Sequence, residues 1–219
     1  MGSDCRSGWR GSTRPERDGT ITAMSNDAKA EIAATAARLV VEEGLEYGPA
    51  KRRALRELGL PSRSPLPSND MLEDEVFDYL KLFCADTQPQ ELLALRQLAL
   101  TWMERLQAFR PHLSGAVWRG SATRLSDIYI QLFCDDSKSA ELMLIDQGVR
   151  YDVQSVKGFK GEEVDALSIH SLCRPLNEHI GVHLMVYDYD DLRGALLPDE
   201  RGHPQRGDLV ALRQLLDNA

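Results

Sequence analysis

The sequence has no long apolar run, no closely spaced cysteine pair and no surplus of positive charge, and each shortage removes a class of function. No stretch approaches the roughly 18 to 20 uninterrupted apolar residues that a membrane span needs, and the amino-terminal region is polar, without the apolar segment of a secretory signal. A cytoplasmic location with no membrane partner is therefore expected. The four cysteines, Cys5, Cys84, Cys134 and Cys173, are far apart and form no C-x-x-C pair. Neither a zinc ribbon nor a disulfide-dense scaffold is supported, and Cys134 reads as a small apolar residue of a strand. Acidic side chains outnumber basic ones 34 to 26, for a net charge of −8. That balance argues against a general phosphate-backbone binder, which depends on surplus Lys and Arg. A G-x-x-x-x-G-K-[ST] phosphate loop and a nucleophile elbow are also missing.

What is present is ordinary globular material: 219 residues, 42% hydrophobic and 27% charged, enough for one large hydrophobic core. Residues 1–23, rich in Gly, Ser, Arg and Asp without periodicity, are expected to form a disordered leader, with Met24 a candidate start. From there Ser25, Asn26 and Asp27 are cap candidates for a helix over about 28–43, ended by Gly44. A second helix over 49–58 carries Lys51, Arg52, Arg53 and Arg56, expected on a solvated face. Leu72, Val76, Tyr79, Leu80 and Phe83 recur at three and four and predict a third helix. A fourth, over 89–109, is apolar around much of its circumference and suits a place between layers.

The period then changes from helix to strand. Gly115–Arg119 reads as a short β-like run, and Ile128, Ile130 and Leu132 alternate with Tyr129, Gln131 and Phe133. A helix over 137–146, strands over 150–156, 165–172 and 182–187, and a last helix over 208–216 follow. The expected class is α+β: a helical region, 24–110, then an α/β region, 111–219, with a mixed sheet and flanking helices.

The stretch richest in chemistry runs from Gly115 to Phe133: strand, Gly120-Ser121 turn, a short helical span, then Ser126-Asp127 opening a second strand. Gly120 would let the backbone approach an anion, Ser121 would offer a hydroxyl, and a helix start would present free N–H groups. Asp127 carries hard oxygens suited to Mg²⁺. This pattern resembles the nucleotidyltransferase superfamily, whose signature is a Gly-Ser after the first strand and an Asp-x-Asp on the next. The resemblance implies a nucleotidyltransferase-like sheet, a nucleoside triphosphate held by Gly120, Ser121, Arg119 and Arg124, and Mg²⁺ held by carboxylates. It implies in-line transfer of a nucleotidyl group to an acceptor hydroxyl. The second family carboxylate is Tyr129 here, and a phenol is a poor Mg²⁺ ligand. Asp135 and Asp136 would lie about 20 Å away along an extended chain. Asp152 is similar to the third family carboxylate and is the expected partner of Asp127 in catalysis and metal binding.

From Met24 onward the chain also resembles a group of uncharacterised bacterial proteins, some labelled UDP-N-acetylmuramate–alanine ligase. Such a ligase needs a phosphate loop and three domains, and the sequence supplies neither. Other readings stay open beside the enzyme. Gly120-Ser121 and Ser126-Asp127 suit plain turns, and Asp152 suits a cross-strand pair. With Tyr129 in place of the second acid, the alternative function is a catalytically inactive nucleotidyltransferase-fold binding or regulatory protein. A third reading sets the basic second helix against nucleic acid, which a solvated helix face explains as well. His179 and His183 fall where a strand begins, which does not favour a metal pair.

Overall fold

The computed structural model describes residues 18–218, with side chains from Asn26 onward. Residues 1–17 of the expected leader, Cys5 among them, lie outside the described residues. Three helices, α1 (Asp18–Glu43), α2 (Tyr47–Glu57) and α3 (Asn69–Phe83), pack around Ile32, Ala36, Leu39, Ala50, Ala54, Leu72 and Val76. Alanines at three buried positions of α1, Ala33, Ala36 and Ala37, and four-apart alanines on α2 keep these helices close. Ser68 opens α3 by accepting a hydrogen bond from the Met71 amide at 3.1 Å. Helix α1 begins before Ser25-Asn26-Asp27, so those residues lie inside the helix and not at its start.

The expected solvated basic face of α2 needs correction. Lys51 sits one position past Ala50 and four before Leu55, on the packed side, and is only 6% exposed. Its Nζ donates to the Pro67 carbonyl at 2.8 Å and to Asn69 Oδ1 at 2.7 Å, while burial pulls its pKa down. Arg53 is held by Glu43 and Glu57. Two of the four basic residues thus serve the bundle itself.

Helix α4 (Gln88–Arg105) packs on the sheet rather than in the bundle, through Leu95, Ala99, Trp102 and Met103. The remaining elements are β1 (His112–Ser114), α5 (Gly115–Arg119), β2 (Ile128–Cys134), α6 (Lys138–Asp146), β3 (Asp152–Lys157), β4 (Glu163–Cys173), β5 (Glu178–Asp188), α7 (Leu192–Ala195), β6 (Arg206–Gly207) and α8 (Leu209–Asp217). They build an open sheet of order β3-β4-β5-β2-β1-β6, parallel between β2 and β5 and antiparallel elsewhere. The class is α+β with a mixed sheet, as the change of period predicts. One face presents Ile128, Ile130, Leu132, Val182, Leu184, Val186, Leu167 and Ile169 to the core shared with α4, α6 and α8. The other carries Tyr129, Gln131, Phe133, His183, Met185, Tyr187 and Ser168.

That second face is covered at its two ends. Phe133 and Tyr187 stack with centroids 5.6 Å apart and pack under Ala195 and Leu192. At the other end the junction of α1 and α2 reaches over the sheet, where the Tyr129 hydroxyl donates to Glu46 Oε1 at 2.7 Å.

Gly115–Arg119 is a helical turn and not the β-like run expected. Five residues are too few for period to separate the two states. Tertiary packing decides: Val117 is fully buried, and Trp118 lies against Gly207 on β6 with its indole N–H donating to the Pro204 carbonyl at 2.8 Å.

Candidate functional site

The Gly-Ser turn does not open a helix; it closes one. Gly120 adopts φ +97°, a left-handed conformation that suits glycine, and caps α5. The Gly120 and Ser121 amides both donate to the Ala116 carbonyl, at 2.9 and 3.0 Å. The N–H groups expected to meet phosphate are therefore spent, and a helix carboxyl end carries the wrong sign of dipole for an anion. A Cβ on Gly120 would meet Arg96 and Leu92 of α4. Gln88 Nε2 donates to the Gly120 and Ala122 carbonyls at 2.9 Å each. Ser121 is 4% exposed, and its hydroxyl has no hydrogen-bond partner among the described residues. Residues 121–127 form an irregular turn in which Ser126 Oγ accepts from the Thr123 amide at 3.0 Å.

The two arginines expected on phosphate are both engaged by carboxylates. Arg124 is exposed and pairs with Glu178, while its amide donates to Glu91 at 3.0 Å. Arg119 Nε lies 2.6 Å from Glu73 Oε1, and its guanidinium stands 5.8 Å from the Tyr47 ring centre. Burial raises the Glu73 pKa, opposed by the Arg119 charge.

The two carboxylates expected to share a metal are not brought together. Asp152 opposes Ser168, Ser168 opposes His183, and His183 opposes Tyr129. Three interstrand steps of roughly 4.8 Å each separate β3 from β2 by about 14 Å. Asp152 is an exposed residue of the edge strand.

Asp127 instead joins a network of its own strand's neighbours. Its Oδ1 accepts from the Gly181 amide at 3.1 Å, and its Oδ2 lies 3.2 Å from His183 Nε2. His183 Nδ1 lies 2.9 Å from Ser168 Oγ. A carboxylate can only accept, so His183 Nε2 carries a proton and donates to Asp127 Oδ2. Tyr129 stacks on the imidazole with centroids 4.9 Å apart and planes at 25°. Burial, then the hydrogen bond to Glu46 and the Glu46 and Asp127 charges, push the Tyr129 phenol above its ordinary range. It remains a donor at any physiological pH.

This Ser168-His183-Asp127 chain has the composition of a hydrolytic triad without its surroundings. Ser168 sits in mid-strand, paired on both sides. Its neighbouring amides belong to the ladder, so no oxyanion hole adjoins it. The chain's physical effect is to fix Asp127: two protein donors hold both carboxylate oxygens while the side chain stays 48% exposed.

Asp127, Tyr129, Glu46, Tyr47, Gln131 and Met185 are among the residues lining a cavity of about 380 Å³ at the sheet rim. Gln131 is 7% exposed, and its Oε1 has no hydrogen-bond partner among the described residues. The residues present do not fit the expected Mg²⁺. Tyr129 is a protonated phenol, Asp152 lies exposed on the far edge strand, and among the described residues no three His, Cys, Asp or Glu side chains converge. Of the residues singled out in the sequence, Asp127, Tyr129 and Arg119 reach this cavity; Gly120, Ser121, Arg124 and Asp152 do not. Glu46, Gln131, His183, Ser168 and Gly181 were missed. Only strand register and the α1–α2 packing reveal them.

No protein-family model matches the chain, and no curated protein matches it.

Proposed function

We propose that the protein is a non-catalytic binding protein on a nucleotidyltransferase-like sheet, whose rim cavity takes a small neutral or cationic organic molecule without divalent metal. The observation that carries this reading is the state of Asp127: both of its oxygens are held by protein donors, and its family partner position is a phenol tied to Glu46. The cavity has the volume of an ordinary small-ligand site. Its charge opposes a free triphosphate, since Glu46 and Asp127 face the space and the nearby Arg119 is already countered by Glu73.

The test is calorimetry with ATP, GTP, CTP and UTP, with Mg²⁺ and with a chelator, alongside an assay for pyrophosphate release. The expected result is no metal-dependent binding and no pyrophosphate. Tight Mg²⁺-dependent binding that Asp127→Asn abolishes, accompanied by pyrophosphate release, would restore the transferase reading with a nucleotide partner and an acceptor hydroxyl.

A further inference from the structure

The reading of the rim cavity as a metal-free site leaves open what it holds, and the side chains around it narrow the choice. Two carboxylates, Glu46 and Asp127, line the space. Among the described residues neither is paired with Lys or Arg; Glu46 takes the Tyr129 hydroxyl and Asp127 takes His183 and the Gly181 amide. The one guanidinium in the wall, that of Arg119, is spoken for by Glu73 at 2.6 Å.

The neutral groups lean the same way. Ser114 Oγ donates to the Tyr129 carbonyl at 3.3 Å and Tyr129 Oη donates to Glu46, so both hydroxyl oxygens keep lone pairs for an incoming donor. Gln131, more than nine-tenths buried, borders the cavity; its amide oxygen has no partner among the described residues, and turning the terminal amide presents that oxygen to the space as an acceptor. Tyr47 and Tyr129 add two aromatic rings to the wall.

We infer that the cavity binds an organic ammonium ion, with Glu46 and Asp127 as counter-charges and the Gln131 amide and Ser114 hydroxyl as further acceptors. The inference rests on the cavity being a small-molecule site at all. Gly181, His183 and Ser168 then act as positioning residues, holding Asp127 toward the ligand from behind.

The experiment titrates the full chain with putrescine and with its uncharged counterpart 1,4-butanediol, in chelator at low and moderate salt. Glu46→Gln, Asp127→Asn and the cavity-filling Ala116→Phe are compared, each checked for an unchanged thermal transition. Putrescine is expected to bind, weakening with salt, to lose at least tenfold in affinity in each charge-removing variant, and to lose all binding in Ala116→Phe; butanediol should not bind measurably. Putrescine affinity unchanged in Glu46→Gln and Asp127→Asn overturns the inference. Saturable butanediol binding of equal strength, abolished by Ala116→Phe, overturns the ammonium while the cavity reading stands. Failure of both probes to bind overturns the ammonium too and counts against the cavity.

Discussion

Replacing Gly181 by alanine probes the site without touching any charged group. The glycine lies on β5 directly beneath Asp127, and its own φ is not left-handed, so the backbone accepts a side chain. A Cβ there would stand 2.5 Å from Asp127 Oδ1, 2.7 Å from Cγ and 3.1 Å from Oδ2. The carboxylate must swing away, breaking its contacts with the Gly181 amide and His183 Nε2. Hydrogen bonds to a charged group contribute about 1.5 to 3 kcal/mol each when nothing replaces them. Asp127 is half exposed and water takes over, so the loss shrinks to about 1 kcal/mol. Removing glycine from the unfolded chain returns about 0.4 to 1 kcal/mol. The two effects nearly cancel, and the unfolding free energy from urea melts should move by less than about 1 kcal/mol. The site responds differently: nitrogen-detected NMR of the His183 ring should show loss of the Nε2–H hydrogen bond to Asp127, as in Asp127→Ala, and the two substitutions combined should do no more than either alone. An unchanged His183 spectrum in Gly181→Ala, or additive effects of the pair, would refute the argument that Gly181 exists to seat Asp127.

Three further expectations address other parts of the molecule. In Gly207→Ala the new Cβ would fall inside the Trp118 ring, so overpacking should lower the unfolding free energy by about 1 to 3 kcal/mol or more, measured by urea melts. Asp152→Asn should leave ligand binding as in wild type, because β3 lies three strands from β2 and Asp152 does not line the cavity. Arg201 grips Asp74 at 2.8 and 2.9 Å and holds its carboxyl below the usual range. A depressed acid contributes stability above its unfolded pKa near 3.8 and loses it as pH falls through the folded value. A double-mutant cycle on Arg201 and Asp74 should therefore show a coupling at pH 7 that vanishes as pH falls below the folded value.

The helices and long strands were legible because their apolar periods are written locally. Leu72 to Phe83 and Ile128 to Phe133 fall in α3 and β2 as their spacing predicts. Short elements were not legible: β1, β6 and α7 have two to four residues each, and α5 took its state from Trp118 and Val117 packing. The candidate site was legible at one residue of each pair. Asp127 stands out by its place before a strand, but its partners come from register: β5 lies parallel to β2, and β4 antiparallel to β5, which sets Ser168 beside His183 and His183 beside Tyr129. Gly120-Ser121 misled because a Gly-Ser dipeptide reads alike at a helix start and at a helix end. Lys51 misled because a lysine stem can be buried while its Nζ finds a carbonyl and an amide oxygen.

On the proposed reading, Asp127 is an anion held by protein donors and not a metal ligand. Titrating isotopically labelled protein with Mn²⁺ tests it directly, because the paramagnetic ion broadens only nearby resonances. No selective broadening of Asp127, Tyr129 or Gly181 is expected at substoichiometric Mn²⁺. Broadening confined to those residues and abolished in Asp127→Asn would contradict it.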